Sequence, residues 1–110
     1  MNIQTIVNEL GFEVLALPSP DAEIDGGYAG DLLSWVMGRA SEGNIWVTIM
    51  TNINIVAVAS LVGVSAVVVA EDSEVSPEVI AKANEQGINL LKTDKPVFET
   101  VLAIGEKIRA

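Results

Sequence analysis

The feature that most constrains this chain is the five-residue apolar run Ala66-Val67-Val68-Val69-Ala70, set between two helical patterns. A run with no polar alternation and rich in β-branched residues fits a strand buried on both faces. Such strands belong to parallel sheets covered by helices. Before the run, Ile55, Val58, Ala59 and Val62 share a helical face, and Gly63 follows as a stop. That helix is apolar nearly all round, which predicts burial on more than one side. After the run, Ser76-Pro77 reads as an N-cap with proline at the first helical position, and Glu78 favours the positive helix end. Val79, Ile80 and Ala83 give this helix its apolar side, and Gly87 ends it. Ile45 to Ile49 and Ile88 to Leu91 are the flanking strands. A last helix follows Thr93, Asp94 and Pro96, with Val97, Val101, Leu102, Gly105 and Ile108 at helical spacing. From residue 44 the order is βαβαβα with short connections. It predicts a three-layer α/β/α domain with a mainly parallel central sheet.

The first 43 residues are less regular. Ile3, Ile6, Val7 and Leu10 predict a short helix ending at Gly11, and Glu13 to Leu17 a short strand. Pro18-Ser19-Pro20-Asp21 reads as a loop, and Ala22 to Tyr28 as a linking segment built on Gly26-Gly27. From Asp31 the helical period returns, with Leu32, Leu33, Val36, Met37 and Ala40 on one face. One domain over residues 1–110 is expected, without internal repeats.

Composition narrows the chemistry. The chain contains neither cysteine nor histidine. Thiolate-held zinc, Cys-ligated clusters, Cys nucleophiles and His-based triads are therefore excluded. The net charge of −9, from 15 acidic and 6 basic side chains, argues against nucleic acid and anionic membranes as partners. The charge is also uneven: residues 1–81 carry eleven acids and one base, residues 82–110 four acids and five bases. No segment supplies the twenty or so apolar residues that span a bilayer. The first residues do not read as a signal peptide, so a cytoplasmic location is expected. Neither phosphate-binding glycine motif, G-x-x-x-x-G-K-[ST] or G-x-G-x-x-G, is present.

In open α/β sheets, ligands sit beyond the carboxyl ends of the strands. That rule selects Thr51, Asn52 and Asn54 at one helix start, and Thr93 and Asp94 at another. Free N–H groups there bind phosphate or carboxylate, while the plainer reading of Asn52 or Asn54 is a helix cap. Gly26 and Gly27 carry no Cβ, which permits close approach of a ligand or partner, or simply a turn. Glu71, Asp72 and Glu74 match no calcium-loop spacing and read as a solvated loop. Asp25 and Asp31 are the carboxylates an acid–base reading would use. Tyr28 and Trp35, the latter off the apolar stripe of its helix, are candidate interface anchors.

The blocks Glu23-Ile-Asp-Gly-Gly-Tyr-Ala-Gly-Asp-Leu-Leu-Ser-Trp-Val-Met-Gly, Gly43-Asn-Ile-Trp-Val-Thr-Ile-Met-Thr-Asn and Asn54-Ile-Val-Ala-Val-Ala occur in this order. With Leu90-Leu-Lys-Thr-Asp they resemble a DRTGG domain, from about residue 12 to the end. The name-giving motif is degenerate: Asp25 runs directly into Gly26-Gly27, without the Arg-Thr element. The resemblance implies a three-layer α/β fold similar to the N-terminal domain of HPr kinase/phosphorylase, and no catalysis. Some relatives sit between CBS domains of a regulated pyrophosphatase, where adenine nucleotides are sensed and the DRTGG parts help form a dimer. Small free-standing forms resemble accessory proteins of iron-only-hydrogenase-type electron-transfer systems.

The expected function is therefore a non-catalytic regulatory or interaction module without a cofactor or metal. It is expected to be homodimeric, or to dock on a larger enzyme or electron-transfer protein. The alternative is a sensor that binds an adenine nucleotide or another anion at the strand C-terminal loops.

Overall fold

The computed structural model describes residues 1–109 and contains ten elements. In chain order they are α1 (Ile3–Leu10), β1 (Glu13–Ala16), β2 (Gly27–Ala29), α2 (Leu33–Arg39), β3 (Ile45–Thr48), α3 (Asn54–Val62), β4 (Ala66–Val69), α4 (Pro77–Gln86), β5 (Leu90–Lys92) and α5 (Val97–Ile108). The strands form one sheet in the order β1-β5-β4-β3-β2. Neighbours from β2 to β5 are parallel, and β1 joins β5 antiparallel with a bulge between Val14 and Ala16.

Alternation along the strands builds two cores. Trp46, Val67, Val69 and Leu90 point to α2, α3 and α4, whose Val36, Ile55, Ala59 and Ala83 close that side. Ile45, Val47, Val68 and Leu91 point the other way, onto Ile3 and Ile6 of α1 and Ile104 of α5. β4 is buried at every position, because helices cover both its faces. Trp46 is also fully buried, and its indole N–H donates to the Gly30 carbonyl at 2.9 Å.

Helix ends follow the sequence signals. Ser76 caps α4 with Pro77 behind it. Gly63 ends α3 at φ 83°, where a side chain would be strained and a Cβ would stand 3.3 Å from Glu42 Cγ.

Three expectations need correction. The linking segment contains a fifth strand, β2, because its backbone pairs with the free side of β3. The stripe of α2 is narrower than expected: Val36 is buried, but Leu32 and Met37 are exposed. In α5 the buried residues are Thr100 and Ile104, while Val101 and Leu102 lie outward. The burial of α3 on more than one side is observed, because the sheet lies beneath it and α2 and α4 flank it; its outermost side, with Ala57, Ser60 and Leu61, is exposed, Leu61 at 73%.

The connection from β1 to β2 has to cross the sheet from edge to edge. Residues 17–26 do this as a strap along the end where the parallel strands begin. A polar residue just ahead of each of β3, β4 and β5 holds it. Asn89, 2% exposed, accepts from Ser19 N at 2.9 Å and donates to the carbonyls of Ser19 at 2.7 Å and Ser65 at 2.9 Å. The Ser65 hydroxyl sits between the carbonyls of Glu23 and Gly43. Asn44 Nδ2 donates to the Asp25 carbonyl at 2.7 Å. The strap in turn accepts the first N–H groups of α1: Ile3 N bonds Ala22 O and Gln4 N bonds Pro20 O, both at 3.0 Å. No buried side-chain nitrogen or oxygen lacks a partner among the described residues.

Removing one clamp leaves buried backbone groups unpaired. Asn89→Ala is expected to cost about 2–4 kcal/mol in urea unfolding, and roughly 10–20 °C in melting temperature. Asn8→Ala, on the exposed side of α1, should stay within about 0.5 kcal/mol. Equal effects at both positions would mean that the strap is not what holds the edge.

Candidate functional site

At the carboxyl end of the sheet, most polar groups are already engaged with one another. Asn52 Oδ1 accepts from Asn54 N at 2.9 Å, and the Asn52 carbonyl accepts from Ile55 N at 3.2 Å. The N-cap position of α3 is Ile53, without a side-chain cap bond, and Asn52 closes the turn just ahead of it. Asp31 Oδ1 accepts from Thr48 Oγ1 at 2.8 Å and from Ile49 N at 2.9 Å. It braces the loop after β2 against the loop after β3. Asp25 lies at the other end of β2, so the two carboxylates do not meet in one site and the acid–base reading fails.

The loops after β4 and β5 are bonded together. Thr93 N donates to Val69 O at 2.9 Å, Asp72 N to Thr93 O at 3.0 Å, and Glu71 N to Lys95 O at 2.9 Å. Glu71 and Asp72 are both left-handed, at φ 63° and 56°. This turn delivers a Glu71 carboxylate oxygen to Val97 N at 2.8 Å. The start of α5 therefore already holds a negative charge where an external anion would sit. Asp72 also pairs with Lys92 at 3.4 Å.

The sequence-selected residues do not converge on one point. Thr51, Asn52 and Asn54 follow β3, and Thr93 and Asp94 follow β5, with β4 between them. Gly26 and Gly27 stand at the opposite end, where β2 begins. They line a cleft of about 180 Å³ between β2 and α5, with Ala29, Val47, Gly105 and Arg109. Ligand pockets commonly span about 300–1,000 Å³, so this volume suits one or two aliphatic side chains better than a nucleotide. The α5 residues of this cleft escaped the sequence reading. Their signal was Gly105, a residue that costs a helix interior about 1 kcal/mol relative to alanine and often marks a packing need.

Several large apolar side chains face solvent. Trp35 is 51% exposed, with the Arg39 guanidinium 3.6 Å over its ring. Tyr28 is half-buried against the α2–α4 core. Phe98 and Leu102 form an exposed pair on α5. On α3, Ile53, Ala57, Ser60 and Leu61 line an open groove of about 520 Å³ with Lys82 and Gln86 of α4. No helix among the described residues is long and apolar enough to cross a membrane.

No family model matches the chain, and neither does any curated protein. Its fold is similar to the crystal structure of the CBS and DRTGG domains of the regulatory region of Clostridium perfringens pyrophosphatase, complexed with the activator diadenosine tetraphosphate. The TM-score is 0.70 at 20% identity, over 94% of this chain and 45% of that one. The chain thus spans less than half of that neighbour. At this identity the likeness is one of fold. The three-layer α/β/α architecture with a mainly parallel sheet is consistent with a DRTGG domain, the family that the sequence blocks resemble.

Proposed function

We propose that this protein is a non-catalytic regulatory and interaction module, a single DRTGG-like domain that acts as a cytoplasmic homodimer. The observation that carries the reading is the outer face of α3. The helix Asn54–Val62 contains no charged residue although the chain carries −9. Two such chains repel over most of their surfaces, and an uncharged apolar face is where they can approach. The face is also self-complementary. Ile53 and Leu61 stand four residues either side of Ala57. An antiparallel crossing at Ala57 therefore sets each Ile53 against the partner's Leu61 around a small centre. Trp35 on the adjoining α2 is the candidate rim anchor, and Tyr28, half-buried against the core, is the second candidate anchor. Docking of the module on a larger enzyme, including an iron-only-hydrogenase-type electron-transfer partner, belongs to the same reading.

A second reading is a sensor for an adenine nucleotide, favoured by the fold neighbour, which was crystallised with diadenosine tetraphosphate. Thr51, Asn52, Asn54, Thr93 and Asp94 would be its contacts, with Gly26 and Gly27 outside the site. An anion at α5 would have to displace the Glu71 carboxylate from Val97 N.

The dimer reading predicts a solution mass of twice the chain at micromolar concentration. Ala57→Glu, at an exposed position, should halve that mass and leave the monomer folded. A monomeric wild type, or an Ala57→Glu dimer as stable as wild type, would end it. The sensor reading predicts that diadenosine tetraphosphate or ATP at about 100 times its Kd stabilises the fold by roughly 2.7 kcal/mol, or about 10 °C or more in melting temperature. No shift with either nucleotide at millimolar concentration removes this reading.

A further inference from the structure

One peptide bond of the strap carries a chemistry that neither reading of function uses. Asp25 is followed directly by Gly26. An aspartyl carboxyl and the backbone nitrogen of the next residue close to a five-membered imide when they meet. A glycine in the second position has no side chain to hinder the attack. The fold itself demands that glycine. Gly26 sits at φ 80°, where a side chain is strained, and a Cβ there would stand 3.3 Å from Asn44 Nδ2.

The structure separates this aspartate from the other four in the chain. Asp31 has its carboxylate engaged by Thr48 Oγ1 and Ile49 N. The nitrogens that follow Asp21, Asp72 and Asp94 are occupied. Ala22 N donates to Ser19 O at 3.1 Å, Ser73 N to Ala70 O at 3.4 Å, and Lys95 N to Thr93 Oγ1 at 3.3 Å. Among the described residues, Asp25 alone joins an exposed carboxylate without a hydrogen bond or ion pair to a following N–H without a partner. Asparagines undergo the same closure, but all seven here are followed by Ile, Glu or Leu, whose side chains crowd the nitrogen.

We infer that Asp25–Gly26 is a site of spontaneous isoaspartate formation, and that the change unfastens the strap from β2. Gly26 N attacks Asp25 Cγ. The amide proton and the carboxyl hydroxyl leave as water, and the imide ring forms. Water then adds at the former Asp25 carbonyl carbon and breaks its bond to Gly26 N. One water is lost and one gained, so mass and net charge are unchanged. The main chain now runs through Cβ and Cγ and is one atom longer. Asp25 N donates to Gly43 O at 2.8 Å, and Gly26 O accepts from Ile45 N at 3.1 Å, so the extra atom falls between two fixed points. The carbonyl that Asn44 Nδ2 holds at 2.7 Å has become a free carboxylate. This inference rests on neither the dimer nor the sensor.

The test keeps the intact protein for weeks in warm, mildly acidic buffer, folded in one sample and unfolded by urea in another. Isoaspartate is counted by methyl transfer from S-adenosylmethionine with a protein-isoaspartate methyltransferase, and placed by peptide mapping. In the folded sample, position 25 should hold more isoaspartate than the other four aspartates together. Folding should slow closure at Asp25 least, so its folded-to-unfolded rate ratio should be the highest of the five. The aged fraction should melt at a lower temperature, and its Ile45 amide should exchange faster. Asp25→Glu, which would need a six-membered ring, should melt like wild type before incubation and lose the signal at position 25. If that variant does not fold, the rate ratio in the wild type decides alone. Three outcomes overturn the proposal: no isoaspartate at position 25 of the folded protein, closure at Asp25 slowed by folding as much as at the other aspartates, or an aged fraction whose Ile45 amide exchanges as before.

Discussion

The rest of the structure depends on the strap that carries the chain from β1 to β2. These strands lie at opposite edges of a five-stranded sheet. The path crosses four strand intervals, roughly 19 Å at about 4.8 Å each, and ten extended residues reach no more than about 33 Å. The strap thus has length to spare, and part of it is taken up in a turn where Ala22 N donates to Ser19 O at 3.1 Å. A backbone in that position is buried on one side and needs partners there. Asn89, Ser65 and Asn44 supply them in the order the strap passes β5, β4 and β3. The same strap accepts the first N–H groups of α1. One set of hydrogen bonds therefore fixes the β2 register, the seat of α1, and the spacing of three parallel strands.

This division leaves the two ends of the sheet with different work. The starting end is closed by the strap. The carboxyl end is closed by its own loops, through Asp31 between the β2 and β3 exits and Glu71 between the β4 and β5 exits. In a doubly covered sheet the carboxyl end is where ligands usually sit. Here its best anion-binding positions are filled from within, by Asn52 Oδ1 at α3 and the Glu71 carboxylate at α5. What is left unsatisfied lies elsewhere: an uncharged helix face on α3, and the outward backbone of β2.

Much of this fold was legible because burial writes itself into long patterns. The valines of β4 and the capped helix α4 follow the sequence signals closely. The failures share one physical cause. A helix or strand at the border of the molecule keeps its apolar composition without being buried. Composition therefore overstated the cover on α2 and on the outer side of α5. β2 was missed because Gly27-Tyr28-Ala29 is too short to show alternation; its strand geometry comes from pairing with β3, not from its own propensity. The clamp was visible in principle. Asn44, Ser65 and Asn89 are each a lone polar residue immediately ahead of an apolar strand. That recurrence is a signal for a shared backbone partner, and a residue-by-residue reading passes over it. Thr51, Asn52, Asn54, Thr93 and Asp94 do follow strands β3 and β5, but sequence alone does not tell that groups there are consumed by neighbouring loops.

The uneven charge acquires a structural meaning from this layout. Apart from Arg39, the chain as far as residue 81 is acidic wherever it is charged, and it includes β2 with Asp25 and Asp31 at its two ends. Basic residues return only from Lys82 onward, on α4, β5 and α5. A surface of this kind discriminates by repulsion as much as by attraction. A protein of this size cannot bury all its apolar material. Part of that remainder is the outer side of α3, a helix without a charged residue in a chain of net charge −9.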